Sequence, residues 1–204
     1  MTLARMIRIH KLPDVPYFSQ QGLREMEEKD LPEVTALFSR YMQRFDMAPE
    51  MTLEDAGHHF LSGRGEEEIV ERDITGRKGQ VVWSYVVEVG HLESCNQYSI
   101  LEFFVQNPET HKITDFFTFY CLPSTIINNT KHGVLEAAYL YYYATDTAFE
   151  EGAEESSRLK KRLEYLIGDA LIVAYQAKFD VFNALTLMDN VSILKDLKVE
   201  CFLF

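Results

Sequence analysis

Cysteine is scarce in this sequence of 204 residues, and its cysteines have no recognisable spacing. Cys95, Cys121 and Cys201 form no CxxC pair and have no histidine pattern beside them. This set predicts neither a zinc site nor a disulfide scaffold, so no metal ligand is assigned. A few scattered thiols are typical of a reducing compartment.

Long apolar runs are also missing. None approaches the roughly 18 residues that a membrane-spanning helix needs. Residues 1–16 are interrupted by charged side chains, among them Arg5 and Arg8, and contain no apolar stretch like that of a signal peptide. We therefore expect a cytoplasmic protein without a membrane span.

Positive charge is in the minority. Lys and Arg number 20 against 32 Asp and Glu, so the formal net charge is −12. Nucleic acids and anionic membranes are bound through cationic side chains, and both are therefore disfavoured as partners. Cationic peptides or proteins are the electrostatically favoured partners.

Apolar and aromatic residues are abundant, at 47% and 13% of the chain, which is enough for a sizeable buried core. Runs rich in β-branched and aromatic residues predict strands. These runs lie at residues 3–12, 81–87, 113–120, 136–145 and 181–187, with a short extended segment at 22–26. In 136–145 the aromatic density favours a strand, while Ala137 and Ala138 leave a helical start open. His111 and Lys112 are read as turn residues before one of these strands.

Two pairs of residues have the spacing of a helix capping box. Asp30 precedes Glu33, and Thr52 precedes Asp55, by three positions each. Apolar residues at helical spacing follow Asp30, and a shorter helix is predicted to end near Leu61.

Two further helices are predicted towards the end of the chain. Apolar residues at helical spacing predict a long helix that begins at Ser157 and ends at 178–180. Asp189-Asn190 predicts the cap of a second, short helix that continues through Leu197. Residues 62–80 and 150–155 are rich in Gly and acidic residues and are expected to be surface loops. Helices and aromatic strands in mixed order predict one layered α+β domain.

The residues alone show no self-sufficient catalytic constellation. Ser124 follows Pro123 and lacks the Gly-x-Ser-x-Gly context of a hydrolase nucleophile. His58 and His59 are adjacent on a predicted helix, so they point to different faces and cannot chelate one metal as an i, i+4 pair would. We interpret both histidines as solvated helix residues.

Two long motifs resemble those of the glycylpeptide N-myristoyltransferase family. They are ITDFFTFYCLPSTI at residues 113–126 and FDVFNALTLMDN at residues 179–190. The segments 7–13, 137–139 and 167–174 are similar to the family in the expected order. The resemblance covers most of residues 1–198, belongs to the carboxy-terminal half of the family, and is fungal-like in its acidic loops.

The resemblance implies a fold and a reaction. The fold is one of two pseudo-symmetric halves, each a mixed sheet flanked by helices and similar to GNAT acetyltransferases. The reaction transfers a myristoyl group from myristoyl-CoA, a co-substrate, to the N-terminal glycine of a protein. In the family this half supplies most of the peptide groove, and the other half holds the acyl donor.

The resemblance also implies three peptide-binding residues: Tyr120, Ser124 and Tyr139. A tyrosine offers an apolar wall and one hydrogen bond, and a serine hydroxyl can bond a peptide group. Without the resemblance, Ser124 would be read as a turn residue and the two tyrosines as packing residues. No catalytic residue is assigned, because the base of the family is its terminal carboxylate and that terminus is not preserved here.

The sequence departs from the family pattern in three places. In the family an acyl-CoA-binding half precedes this one, and we expect that half to be missing before Met1. Residues 89–106 form an atypical insertion and residues 199–204 an atypical terminus; both begin with a valine, whose codons start with the GT of an intron. We hypothesise retained intron sequence, and we expect no activity from the chain by itself. The alternative function is a non-enzymatic GNAT-like module that binds basic peptides or a partner chain.

Overall fold

The computed structural model describes residues 2, 5, 8, 11–66, 77–90, 111–128, 133–152 and 157–197. Its main element is a five-stranded sheet in the order β1-β2-β3-β6-β7. The strands are β1 (Leu23–Glu25), β2 (Val82–Gly90), β3 (His111–Cys121), β6 (Ala137–Thr145) and β7 (Val181–Asn183). Neighbouring strands are antiparallel except β6 and β7, which are parallel, so the sheet is mixed.

A second, two-stranded sheet, four α-helices and two short 3-10 helices, Glu28–Asp30 and Asp146–Phe149, make up the other elements whose bounds the structure describes. The small sheet pairs β4 (Ser124–Thr125) with β5 (Val134–Leu135). The helices are α1 (Leu31–Met42), α2 (Leu53–Leu61), α3 (Arg158–Gln176) and α4 (Asn190–Ile193). This is the α+β class that the sequence predicts, with helices packed on a mixed sheet.

Helices cover both faces of the large sheet. On one face, Phe38 of α1 and Phe60 of α2 pack edge-on or tilted against Phe116 of β3, with ring centroids 6.2 and 5.6 Å from it. On the other face, Arg162 of α3 pairs with Asp115. Because successive residues of a strand point to opposite faces, Asp115 and Phe116 place these helices on opposite sides of β3.

The predicted strands in the centre of the sheet are confirmed, with different ends. His111 and Lys112, read as turn residues, belong to β3, because the ladder continues past Glu88 and pairs them with Gly90 and Val89. β2 therefore includes the first two residues of the segment called an insertion. The rest of that segment, 91–106, and residues 199–204 lie outside the described residues.

The last predicted strand is shorter than expected, since β7 ends at Asn183 instead of continuing to residue 187. Beyond it the chain forms a turn, in which the side-chain amide of Asn190 donates a hydrogen bond of 2.7 Å to the Leu185 carbonyl. A side-chain contact within the turn thus replaces the ladder. β7 lies at one edge of the sheet.

The predicted first strand, 3–12, is not supported by those of its residues that the structure describes. Arg5 and Arg8 are helical, and Lys11 and Leu12 lie outside any strand. The other residues of that segment lie outside the described part of the chain.

One predicted capping box is confirmed and the other is wrong. The Asp55 amide donates to Thr52 Oγ1 at 3.1 Å, and the Thr52 amide donates to Asp55 Oδ2 at 3.0 Å. Asp30 occupies the N-cap of α1, but its carboxylate is bound by Arg24 at 2.6 and 2.8 Å. Glu33 instead accepts the amide of Ile113 at 3.0 Å.

Asp189 also stands at the helix start that the sequence predicts but has another partner. It precedes α4, yet its carboxylate accepts from the Tyr41 hydroxyl at 2.5 Å and from Arg44 at 2.9 Å. Asn190 accepts from the buried Tyr143 hydroxyl at 2.9 Å. The Asp-Asn pair therefore ties the end of the described chain to α1 and β6.

Candidate functional site

Two of the three predicted peptide-binding residues meet in the structure. Tyr120, near the end of β3, is the direct partner of Tyr139 in β6. Their rings are stacked, with centroids 5.5 Å apart and planes 15° apart. Cross-strand aromatic pairs of this kind contribute to sheet stability and present a joined apolar surface.

Ser124, the third predicted residue, is placed differently. It lies beyond the end of β3, exposed, in β4, where it pairs with Leu135. It follows Leu122-Pro123 and begins the small sheet, so it is a strand residue at the exit of a turn. The structure therefore brings the two tyrosines together and sets Ser124 in the separate small sheet.

A cleft of about 510 Å³ opens beside Tyr120. It lies between the end of α2 and the strands of the large sheet, and most of its surface is apolar. Its walls are formed by His58, His59, Ser62, Gly63, Val81, Val82, Tyr120 and Tyr141. Its polar side chains are those of two histidines, a serine and two tyrosines, and no carboxylate is among these described lining residues.

His59 and Tyr141 are functional candidates that sequence reasoning missed. The Tyr141 hydroxyl and His59 Nδ1 are 2.9 Å apart and share a hydrogen bond. Tyr141 also meets Tyr120 edge-on, at 5.4 Å and 80°. The interpretation of His59 as a solvated residue is thus wrong, because its ring is half-buried against the sheet.

A sequence signal for this contact existed. Tyr139 and Tyr141 are two residues apart in a strand, which places both side chains towards one face. His59 directly precedes Phe60, a buried residue of α2, so it lies at the border of the buried stripe. What could not be predicted is that α2 would cover this part of β6.

The two tyrosines of the cleft are neutral phenols. Burial raises the pKa of Tyr120, and the neighbouring Tyr139 raises it further. Burial also raises the pKa of Tyr141, with contributions from Tyr142 and Tyr120. Each hydroxyl therefore keeps its proton at neutral pH and can donate as well as accept a hydrogen bond.

Cys121 follows Tyr120 but has the character of an inert thiol. Burial raises its pKa to about 11, and the nearby carboxylate of Glu136, 3.8 Å from Sγ, acts in the same direction. A thiol with this pKa carries almost no thiolate at neutral pH, so it is a poor nucleophile.

We expect Cys121 to resist alkylation. In a Cys95→Ser/Cys201→Ser background, its rate with iodoacetamide at about pH 8 should be roughly two orders of magnitude below that of an ordinary thiol of pKa about 8.5. Glu136→Gln removes the neighbouring charge and should speed the reaction. Labelling as fast as that of free cysteine, monitored by mass spectrometry, would contradict this assignment.

Within the described ranges, no group of three or more His, Cys, Asp or Glu side chains could hold a metal ion. In the same part of the chain, no helix has the length and apolarity that crossing a membrane requires.

The fold and the cleft define a class: an α+β domain with an aromatic, hydrogen-bonding surface at one end of its sheet, suited to binding a ligand. The family description "Myristoyl-CoA:protein N-myristoyltransferase, C-terminal domain" matches residues 1–201. The chain belongs to the N-myristoyltransferase family, as its motifs indicate.

Individual relatives agree with this assignment. The chain is 46% identical over 197 residues to the glycylpeptide N-tetradecanoyltransferase of Aspergillus fumigatus, covering 97% of this chain and 33% of that protein. It is 43% identical over 186 residues to the Schizosaccharomyces pombe protein of the same name, covering 90% and 34%. The chain thus spans about a third of the length of the curated relatives it matches.

A solved structure shows the same fold. The Saccharomyces cerevisiae N-myristoyltransferase with bound myristoyl-CoA superposes with a TM-score of 0.75 at 40% identity, covering 97% of this chain and 39% of that one. These similarities lend no support to the alternative of a non-enzymatic peptide-binding module.

Proposed function

We propose that this chain contributes the acceptor-peptide side of protein N-myristoylation. In that reaction the amine of an N-terminal glycine forms an amide bond to the myristoyl carbonyl carbon. The carbon–sulfur bond of myristoyl-CoA breaks, and coenzyme A leaves as the thiol with the proton that the amine loses. The membership of the chain in this family carries the proposal.

The geometry of the tyrosine pair supports a peptide-binding role. The stacked rings of Tyr120 and Tyr139 offer an apolar wall, and the Tyr120 hydroxyl, a neutral phenol, can bond a peptide group. Ser124 is exposed in the small sheet, four residues after Tyr120 in the chain, and its hydroxyl can bond a peptide group. We assign peptide contacts to these three residues and no catalytic role to any residue of the chain.

Myristoyl-CoA is the proposed acyl donor, since it is bound in the similar yeast structure. We assign its binding to the part of the relatives that this chain does not cover. A cationic peptide that begins with glycine is the proposed acceptor, because the chain has a net charge of −12. We further propose a cytoplasmic location, in keeping with three scattered cysteines and a free thiol at Cys121.

Peptide binding by the 204-residue chain tests the proposal. We expect the chain to bind a lysine-containing peptide with an N-terminal glycine, measured by calorimetry or fluorescence anisotropy. Tyr139→Ala should weaken binding about tenfold or more, since buried aromatic contacts dominate such interfaces. Ser124→Ala, which removes one exposed hydrogen bond, should weaken it about twofold to fivefold.

The matched control is Tyr175→Ala, which removes an exposed tyrosine at the end of α3. We expect it to bind like the unaltered chain. Binding that is indifferent to Tyr139 and Ser124, or equally strong for a peptide without the N-terminal glycine, would contradict the proposed function.

A further inference from the structure

We propose that His59 and Tyr141 form a positioning pair for the peptide site: their hydrogen bond holds the aromatic edge that keeps Tyr120 stacked on Tyr139. The inference rests on the proposed function, because Tyr120 and Tyr139 are the residues assigned to the peptide. It adds two residues that have no assigned role in binding.

Tyr120 lies between a packed neighbour and an open space. Its ring stacks on Tyr139, and the residue also lines the cleft. An open cleft gives the ring room to leave its stacked position, because the described side chains around it leave that space unfilled. A contact at the cleft wall must therefore restrain it.

Tyr141 is the restraint that the geometry provides. Its ring meets Tyr120 edge-on at 5.4 Å, an arrangement favoured by the positive edge and negative face of aromatic rings. Tyr141 in turn lies against Tyr142, with ring centroids 4.2 Å apart. Tyr142 packs against Phe38 in the core, so the core holds one end of this row of contacting rings in place.

His59 holds the hydroxyl group of Tyr141 in place. The Tyr141 hydroxyl is 2.9 Å from His59 Nδ1, and the two rings are also in edge contact at 5.9 Å. The histidine is anchored by its helix, because the next residue, Phe60, is fully buried in the core. The position of α2 therefore determines where Tyr141 lies. Tyr141 in turn orients Tyr120 against Tyr139.

Leu53 gives a matched control on the same helix. Its side chain is 51% exposed in the first turn of α2, and it is not among the residues that line the cleft. An effect that His59 exerts through Tyr141 should therefore be absent when Leu53 is replaced.

Two readouts on the 204-residue chain test the pair. The first is the aromatic NMR spectrum, in which the ring resonances of Tyr120 and Tyr139 report their mutual stacking. The second is the affinity for the lysine-containing peptide with an N-terminal glycine. Tyr141→Phe removes only the hydroxyl, and His59→Leu removes the ring nitrogen that bonds it.

We expect both variants to shift the Tyr120 and Tyr139 ring resonances and to weaken peptide binding about threefold to tenfold, as for one lost hydrogen bond. His59→Asn, whose amide oxygen takes the place of Nδ1, should restore affinity to within about twofold. Leu53→Ala should leave both readouts unchanged. The urea midpoint of Tyr141→Phe should move by less than about 0.3 M, so lost stability does not account for the effect.

The two readouts separate failure of this inference from failure of the proposed function. If the unaltered chain does not bind the peptide, the proposed function fails, and the ring resonances still decide whether the pair positions Tyr120. Unmoved resonances in Tyr141→Phe, or variants that bind the peptide as tightly as the unaltered chain does, would overturn the inference. An equal loss in Leu53→Ala would overturn it too.

Discussion

Replacing Arg162 by methionine should lower the free energy of unfolding by about 3–5 kcal/mol, because it leaves a buried carboxylate without its cation. Asp115 is fully buried in β3. Arg162 Nε donates to Asp115 Oδ1 at 2.9 Å, and Arg162 Nη2 donates to Asp115 Oδ2. The guanidinium also lies over the Phe18 ring, 4.1 Å from its centroid, so the variant loses this contact as well.

The stability of Arg162→Met is best compared with that of two other variants. In Asp115→Asn/Arg162→Met no charge remains buried at this position, so part of the loss should be recovered. Lys161→Met removes an exposed cation from the same helix and should change the free energy of unfolding by less than about 0.5 kcal/mol. Urea unfolding measures all three. A loss below about 1 kcal/mol in Arg162→Met would mean that the ion pair is not what ties α3 to β3.

Replacing Asp169 by alanine should have a similar effect, a loss of about 2–5 kcal/mol, since it leaves two backbone donors unpaired. Asp169 is fully buried in α3. Its two carboxylate oxygens accept the amides of Tyr17 and Phe18 at 2.5 and 2.9 Å. One carboxylate thereby anchors the loop that leads into β1.

Replacing Asp169 by asparagine keeps the shape of the side chain and removes its charge, so it separates the two contributions to stability. Its single amide oxygen can accept one of the two backbone N–H groups, while its NH2 group faces the other, so Asp169→Asn should lose about half as much as alanine. Asp14→Asn alters an exposed carboxylate in the same loop and should be within about 0.5 kcal/mol of the unaltered chain. An Asp169→Ala variant as stable as Asp14→Asn would contradict the anchoring role.

The stability difference between the unaltered chain and its Asp169→Asn variant depends on pH with a definite sign. Burial raises the pKa of Asp169, so the carboxyl loses its proton at a higher pH in the folded chain than in the unfolded chain. From the ordinary carboxyl pKa, about 3.9, up to the raised folded value, the contribution of Asp169 to stability falls as pH rises. Asparagine does not titrate, so the deficit of Asp169→Asn, measured by urea unfolding, should narrow as pH rises through that window. A deficit that widens there would contradict the raised pKa.

Several elements could be predicted from the sequence because their signals are local. The aromatic run 113–120 specifies a central strand, and Thr52 with Asp55 forms its capping box, since both patterns involve residues within a few positions of one another. The motifs at 113–126 and 179–190 likewise identify the family. They are continuous, so no knowledge of the fold is needed to read them.

The partners of charged side chains could not be predicted in this way. Asp30 and Glu33 have the spacing of a capping box, yet Asp30 binds Arg24 and Glu33 accepts the amide of Ile113, 80 residues away. The Asp30 carboxylate also accepts the backbone amide of Glu27 at 2.7 Å, so it caps the short 3-10 helix Glu28–Asp30 that precedes α1. Which partners a carboxylate takes depends on which donors the fold brings near it.

Local sequence patterns were therefore enough to predict the helices that follow residue 30 and the central strands, and continuous motifs were enough to identify the family. Long-range packing was needed to place Tyr120 against Tyr139, to put Ser124 in a separate small sheet, and to bring His59 to Tyr141 from a helix 82 residues away. The difference lies in the range of the interactions. Periodicity and capping act over one or two turns, whereas the cleft exists only because α2 packs against strands that are distant in the chain.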